Sequence, residues 1–166
     1  NKSTTTITGG EFSYNKAKTS GGAIYSDGIL TINGTNFSTN TATSNNGSTG
    51  GGAIFTTKKS TTTITGESLF SYNNATSFGG AIYNSGNMEI GDGTNVITFS
   101  TNSSTTNGGA LYNATGSTMT IASGTKFIAN TSQKGGAIAD DGFMTIGDDV
   151  EFSSNVASKN SGAIGV

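Results

Sequence analysis

Two tetrapeptides alternate along the whole chain, and they constrain its fold more than any other feature. The first is Phe-x-x-Asn, found at residues 12–15, 37–40, 70–73, 99–102, 127–130 and 152–155. The second is Gly-Gly-Ala-Ile or a close variant, whose alanines are Ala23, Ala53, Ala81, Ala110, Ala137 and Ala163. Successive alanines lie 26 to 30 residues apart, and self-similarity at such a period is typical of stacked-repeat proteins. The repeat therefore predicts a solenoid.

A third element of each unit is a short run that ends in an isoleucine. These isoleucines are Ile7, Ile32, Ile64, Ile90, Ile121 and Ile146. In Leu30-Thr31-Ile32, as in most units, the residues on either side of a polar one point the same way, as alternation along a strand requires. The chain is therefore predicted to be all-β: a right-handed parallel β-helix of about six coils, with three short strands per coil. Residues 1–166 would form a single segment of a longer repeat protein.

The recurring residues have physical roles in such a coil. Stacked asparagines can form a ladder of side-chain amides along the axis, and asparagine also tolerates left-handed torsions at a sharp corner. Paired glycines can supply a second bend and let coils approach closely. Because Ser161 stands first in the last Gly-Gly-Ala-Ile unit, the first glycine is expected to be the more replaceable of the two.

Composition excludes several classes of function. Charged residues make up 11% of the chain, the net charge is −2, and the cations are eight scattered lysines, so no basic stripe for nucleic acid exists. The chain has no cysteine, which excludes disulfides and thiolate metal sites. No stretch approaches the roughly 18 apolar residues that a membrane span needs. We expect no catalysis, no cofactor and no metal.

The alternating tetrapeptides resemble the repeats of the chlamydial polymorphic outer-membrane proteins, and similar repeats occur in adhesin-like surface proteins of other microbes. The resemblance implies an autotransporter passenger, displayed outside the cell as a β-helix and engaged in adhesion to host cells, with the motif residues implicated in binding. In this chain those residues are Phe12, Asn15, Gly21, Gly22, Ala23, Ile24, Phe37, Asn40, Gly51, Gly52, Ala53, Ile54, Phe70, Asn73, Gly79, Gly80, Ala81, Ile82, Phe99, Asn102, Gly108, Gly109, Ala110, Leu111, Phe127, Asn130, Gly135, Gly136, Ala137, Ile138, Phe152, Asn155, Gly162, Ala163 and Ile164.

Three functions follow from this in order of preference. The first is a non-catalytic surface adhesin segment that binds a host-cell protein or glycan, located outside the cell and anchored through a part of the protein beyond this segment. The second is a structural stalk or filament segment that self-associates through open coil ends. The third is a carbohydrate-binding or carbohydrate-active β-helix. Its candidate residues are the acidic cluster Asp140, Asp141, Asp148, Asp149 and Glu151, where calcium could also bind. Ordinary turn sequences explain the same residues better.

Two columns of side chains remain open to interpretation. Thr6, Thr31, Thr63, Thr120 and Thr145 form an outward rank that Glu89 interrupts, and the β-propensity of threonine explains this rank better than an ice-binding face does. Tyr25, Phe55, Tyr83 and Tyr112 form a second column. Its rings are a contact stripe if they face outward and core if they face inward, and the sequence favours neither.

Overall fold

In the computed structural model, which describes residues 2–46 and 48–166, regular structure consists of short parallel strands in four six-stranded sheets. The first sheet contains Thr4–Thr8, Ile29–Asn33, Thr61–Thr65, Asn87–Ile90, Thr118–Ile121 and Phe143–Ile146. The second contains Glu11–Ser13, Asn36–Ser38, Leu69–Ser71, Thr98–Ser100, Lys126–Ile128 and Glu151–Ser153. The third contains Lys16–Ala17, Thr41–Ala42, Asn74–Ala75, Ser103–Ser104, Thr131–Lys134 and Val156–Asn160. The fourth contains Ile24–Ser26, Ile54–Thr56, Ile82–Asn84, Leu111–Asn113, Ile138–Asp140 and Ile164–Gly165.

The chain visits the four sheets in the same order six times, so the predicted parallel β-solenoid of about six coils is confirmed. Equivalent residues of successive units pair in register, as Phe70 does with Phe37 and Phe99. Each coil has four strands instead of three. The added strand follows the Asn of each Phe-x-x-Asn, and in the first four coils it has only two residues, as in Asn74–Ala75, which is too short to show alternation. The right-handed sense of the coil remains a prediction.

One continuous apolar core fills the inside of the solenoid. Its centre is a stack of six phenylalanine rings whose neighbouring centroids lie 4.8 to 5.0 Å apart with nearly parallel planes. Columns of isoleucine from the first and fourth sheets pack against this stack. Burying one such side chain contributes about 1.5–3 kcal/mol. In coils 1 and 6 the same columns are only partly buried, since a neighbouring coil covers them on one side alone.

The apolar core contains a buried hydroxyl group, that of Thr62. Thr62 occupies the inward column of the first sheet between Leu30 and Met88, and it is 1% exposed. Within the described residues its Oγ1 is the one buried side-chain polar atom without a hydrogen-bond partner. A position that is apolar in neighbouring coils therefore holds an unsatisfied polar group.

The aromatic column that the sequence left open lies outside the main core and is nevertheless mostly buried. Because side chains alternate along each fourth-sheet strand, Tyr83 and Tyr112 point away from the interior while their neighbours Ile82 and Leu111 fill it. Phe78 packs onto both tyrosine rings and helps to cover them. The column is thus a second, smaller apolar cluster on the outer face of the rod, and only Tyr25 in the first coil is largely exposed.

Candidate functional site

The asparagines of Phe-x-x-Asn form the predicted ladder. The Nδ2 of each asparagine donates to the Oδ1 of the next along the axis, at 2.9 to 3.0 Å in all five steps. The backbone N–H of the same residue donates to the same oxygen at 2.9 to 3.1 Å. The ladder therefore runs unbroken through all six coils.

Each inner asparagine of the ladder is fully satisfied. Asn73 donates one Nδ2 hydrogen to Asn102 and the other to the backbone carbonyl of Phe37 at 2.9 Å, while its Oδ1 accepts two bonds from Asn40. Since the side chain is also fully buried, it has no free donor and no surface with which to contact a ligand. The ladder asparagines are structural.

The left-handed torsion at this corner belongs to the residue before Asn, so the expectation that the asparagine itself adopts it is wrong. The residues concerned are Tyr14, Thr39, Tyr72, Thr101, Ala129 and Ser154, with φ between +54° and +57°. The asparagine does not need the left-handed region, since its side chain satisfies the corner by reaching the adjacent coils. We call the six left-handed residues the corner ridge, because they follow one another along the outside of the rod.

The Gly-Gly-Ala-Ile units form a second corner, at which there is no space for a Cβ atom. Gly79 has a φ of +60°, and a Cβ at this position would collide with the carbonyl oxygen of Ile82 in its own coil. A Cβ at Gly80 would collide with the carbonyl oxygen of Gly109 in the next coil. A side chain at either glycine would therefore require the backbone to shift, and in the last coil Ser161 is accommodated at the first position with a φ of +56°.

Most of the motif residues singled out by the sequence are inaccessible. In the four inner coils, the phenylalanine, asparagine, glycine, alanine and isoleucine or leucine of the two tetrapeptides are all buried. Their counterparts in coils 1 and 6 are half-buried or exposed, apart from the buried Gly21. The motif residues of the inner coils thus lie together inside the solenoid, where they build the coil.

A second polar ladder, which the sequence analysis missed, runs through the fourth sheet. Thr56 donates to Asn84, Asn84 to Asn113 and Asn113 to Asp140, each at 2.8 Å, and all four side chains are buried. A signal for it exists in the sequence, because the residue two places after the inward isoleucine or leucine is polar in five units. Asp140 is therefore held by this ladder.

The acidic cluster is not assembled into one site. Asp141 accepts hydrogen bonds from the Tyr112 hydroxyl at 2.7 Å and from the Lys134 ammonium at 3.3 Å. Burial, together with this bond to Asp141, raises the pKa of Tyr112. Glu151 pairs instead with Lys126 at 3.1 Å, in the second sheet. Across residues 2–46 and 48–166, no group of three or more acidic side chains is placed to hold a metal ion.

The accessible part of each coil consists of outward side chains. On the first sheet the threonine rank is broken by Glu89, and the parallel rank beside it contains Phe143, which is exposed. The outward face of the first sheet therefore mixes hydroxyl, charged and aromatic side chains. The corner ridge, in contrast, presents Tyr14 and Tyr72 with 79% and 63% of their surface exposed. In the described part of the chain neither ring is paired with another aromatic ring, and the same is true of Phe143, which is 72% exposed on the first sheet.

Comparison with known proteins identifies the repeat. Residues 9–27, 67–85 and 96–114 match the Chlamydia polymorphic membrane protein (Chlamydia_PMP) repeat. Each matched segment contains one Phe-x-x-Asn and one Gly-Gly-Ala-Ile or Gly-Gly-Ala-Leu, and together the segments make up about a third of the chain. No significant match exists among curated proteins or solved structures. The residues that the structure describes contain no helix long and apolar enough to cross a membrane.

The matched repeat is named for a family of membrane proteins. The three remaining units carry Phe-x-x-Asn together with Gly-Gly-Ala-Ile or, in the last unit, Ser-Gly-Ala-Ile, and they fold into the same coil. The resemblance drawn from the tetrapeptides is thus confirmed, and the chain carries repeats of the Chlamydia polymorphic membrane protein type.

Proposed function

We propose that this chain is the displayed segment of a surface adhesin, without catalytic activity, that attaches a cell to host cells or other surfaces. The match to a membrane-protein repeat supports a surface location. The rod supports attachment because it holds equivalent outward positions in register along one axis. Repeated weak contacts of this kind add up through avidity.

The observation that carries this proposal is the burial of the motif residues in the inner coils. Since Phe70, Asn73 and Ile82 are fully buried, a partner can reach only the side chains between and around them. Binding would then depend on the folded rod and on its outward residues. Loss of binding after a motif substitution would reflect unfolding of the coil and not a lost contact.

Beads coated with the whole chain and scored for attachment to cultured epithelial cells test the proposal. We expect attachment by the folded chain, none by the urea-unfolded chain, and altered attachment by Tyr72→Ser and Thr101→Lys, both of which should keep the far-UV circular dichroism of the natural chain. Attachment of the unfolded chain at the level of the folded one would contradict the proposal. So would a folded chain that attaches no better than uncoated beads.

A second candidate function is a structural stalk or self-associating filament segment. It is favoured by the asparagine and phenylalanine ladders, which run through all six coils and make the rod uniform along its axis. Such a segment would show no attachment to cells but would sediment as concentration-dependent oligomers in analytical ultracentrifugation. The adhesin predicts attachment that persists at concentrations where the chain is monomeric.

A further inference from the structure

The corner ridge has an unusual residue composition for its backbone. All six of its residues have φ near +55°, a region that strains every residue with a side chain and suits glycine or asparagine best. The chain contains 26 glycines, and it places glycine at the left-handed first position of five of its six Gly-Gly-Ala-Ile units. None of the ridge residues is glycine or asparagine. Backbone strain that persists at an exposed position points to a function for the side chain.

The ridge places its two tyrosines at a defined separation. Backbone hydrogen bonds join Tyr14 to the second coil and Thr39 to the third, where Tyr72 lies, so the three residues stand on successive coils. With strands about 4.8 Å apart, two coil steps separate the tyrosines by about 9.6 Å. A disaccharide unit of an extended β-1,4-linked polysaccharide has a closely similar length. The rings therefore match every second sugar of such a chain.

The chemistry of the ridge fits a neutral ligand. Tyr14, Thr39, Tyr72 and Thr101 carry no charge, and the residue before each of them in the second sheet is a serine. The negative face of an aromatic ring attracts the C–H groups on the flat face of a pyranose, while neighbouring hydroxyls can bond to sugar hydroxyls. A sulfated or phosphorylated ligand would instead need cations along the ridge.

We propose that Tyr14 and Tyr72 form stacking platforms for a neutral, linear β-1,4-linked glycan lying along the rod axis, with Thr39 and Thr101 bonding to the sugars between and beyond them. This assignment rests on the proposed adhesive function and names the ligand class of its contact surface. The left-handed corner directs the Cα–Cβ bond of each tyrosine away from the rod, which leaves both rings accessible.

Isothermal titration of the whole chain with cellohexaose and chitohexaose tests this assignment, with a heparin hexasaccharide as the charged comparison. We expect binding of at least one neutral hexasaccharide and weaker or no binding of heparin. The double variant Tyr14→Ser/Tyr72→Ser should lower the affinity about tenfold or more. Tyr14→Phe/Tyr72→Phe keeps both rings and should retain binding. The matched control is Tyr25→Ser, which removes a tyrosine that is 61% exposed but lies outside the ridge.

Thermal unfolding of every variant separates lost contacts from lost folding. The assignment is overturned if no neutral hexasaccharide binds, if heparin binds as tightly as the neutral glycans, or if Tyr25→Ser weakens binding as much as the ridge variant does. The bead assay with the same variants distinguishes the two proposals. Cell attachment that survives Tyr14→Ser/Tyr72→Ser would support the adhesin and refute the glycan ridge. Ridge-dependent glycan binding without cell attachment would support the glycan ridge and refute the adhesin.

Discussion

In each coil the chain takes a left-handed torsion at Phe-x-x-Asn and again at Gly-Gly-Ala-Ile, and these two corners differ in the space around the left-handed residue. At the glycine corner φ lies between +60° and +67° in the first five coils, and a Cβ would strike a carbonyl oxygen of the same coil. At the Phe-x-x-Asn corner φ lies between +54° and +57°, and the side chains of Tyr, Thr, Ala or Ser project outward. The comparison shows that the space around Cβ, and not the torsion alone, decides where glycine is required.

The two corners also differ in how they are held. The glycine corner is stabilised by close approach of the backbones of adjacent coils, with the Ala81 and Ile82 amides both donating to the Ala110 carbonyl. The Phe-x-x-Asn corner carries about 1–3 kcal/mol of strain per left-handed residue. Its asparagine ladder offsets that strain, since each hydrogen bond contributes about 0.5–1.5 kcal/mol. The glycine corner depends on the absence of a side chain, whereas the Phe-x-x-Asn corner depends on the side chain of its asparagine.

The largest effect is expected from closing the space between coils at the glycine corner. Gly80→Val places a β-branched side chain against the backbone oxygens of Gly109 and Ser103 and should cost more than about 4 kcal/mol. Far-UV circular dichroism and protease resistance should report loss of the stack around the third coil. A folded, protease-resistant Gly80→Val chain would mean that adjacent coils do not approach as closely as described.

A smaller but still large cost is expected at the first glycine. Gly79→Ser and Gly116→Ser introduce the same side chain at positive φ, but the space at Gly116 is open while that at Gly79 is closed. The cost should be about 1 kcal/mol at Gly116, from torsion alone, and several-fold larger at Gly79. Urea unfolding of both variants measures the difference. Equal costs would show that the torsion, and not the space around Cβ, sets the requirement for glycine.

Removing one rung of the asparagine ladder tests the other corner. Asn73→Ala and Asn102→Ala should each lower the free energy of unfolding by about 1–3 kcal/mol, because the buried partners of the lost amide remain unpaired. The midpoint of thermal unfolding measures this. Asn15→Ala is the matched control with a smaller expected loss, since Asn15 is exposed in the first coil. A midpoint unchanged by either inner substitution would contradict the structural role of the ladder.

A gain in stability is expected where a buried polar group lacks such a ladder. Thr62→Val keeps the shape of the side chain and removes the unsatisfied hydroxyl, so it should stabilise the chain by about 1 kcal/mol. Thr63→Val, one residue along and on the outward side of the same strand, is the control and should change little. Urea unfolding compares the two. A loss of stability in Thr62→Val would indicate that the hydroxyl has a partner.

The smallest effect is expected from relieving strain at the corner ridge. Thr101→Gly removes a β-branched side chain from φ of +56°, while glycine loses more backbone entropy on folding, so a net gain of about 0.5–1 kcal/mol remains. Thermal unfolding measures it. Thr98→Gly, in the adjoining strand, lacks the strain and should be destabilising instead. If Thr101→Gly also destabilises, the ridge side chains contribute to the fold and their composition needs no functional explanation.

Much of this architecture was predictable because each unit repeats the same positions. Phe70 and Asn73 stand at fixed places in every unit, so their columns and the amide ladder follow from stacking the units in register. The third sheet was not predictable, because Asn74–Ala75 has no apolar alternation. The second ladder was missed because Thr56, Asn84 and Asp140 are different residue types that share only their polarity.

The solenoid, its number of coils and the residues of its interior follow from the repeat pattern, since one coil cannot bury its apolar residues alone and equivalent units stack with like residue over like. The directions of the side chains outside that interior follow from packing in three dimensions. The Tyr83 ring is covered because Phe78 packs on it from a different part of its own coil, and the Tyr72 ring is bare because a left-handed corner turns it outward. Both outcomes depend on what surrounds the side chain in space, which the repeat pattern of the sequence does not record.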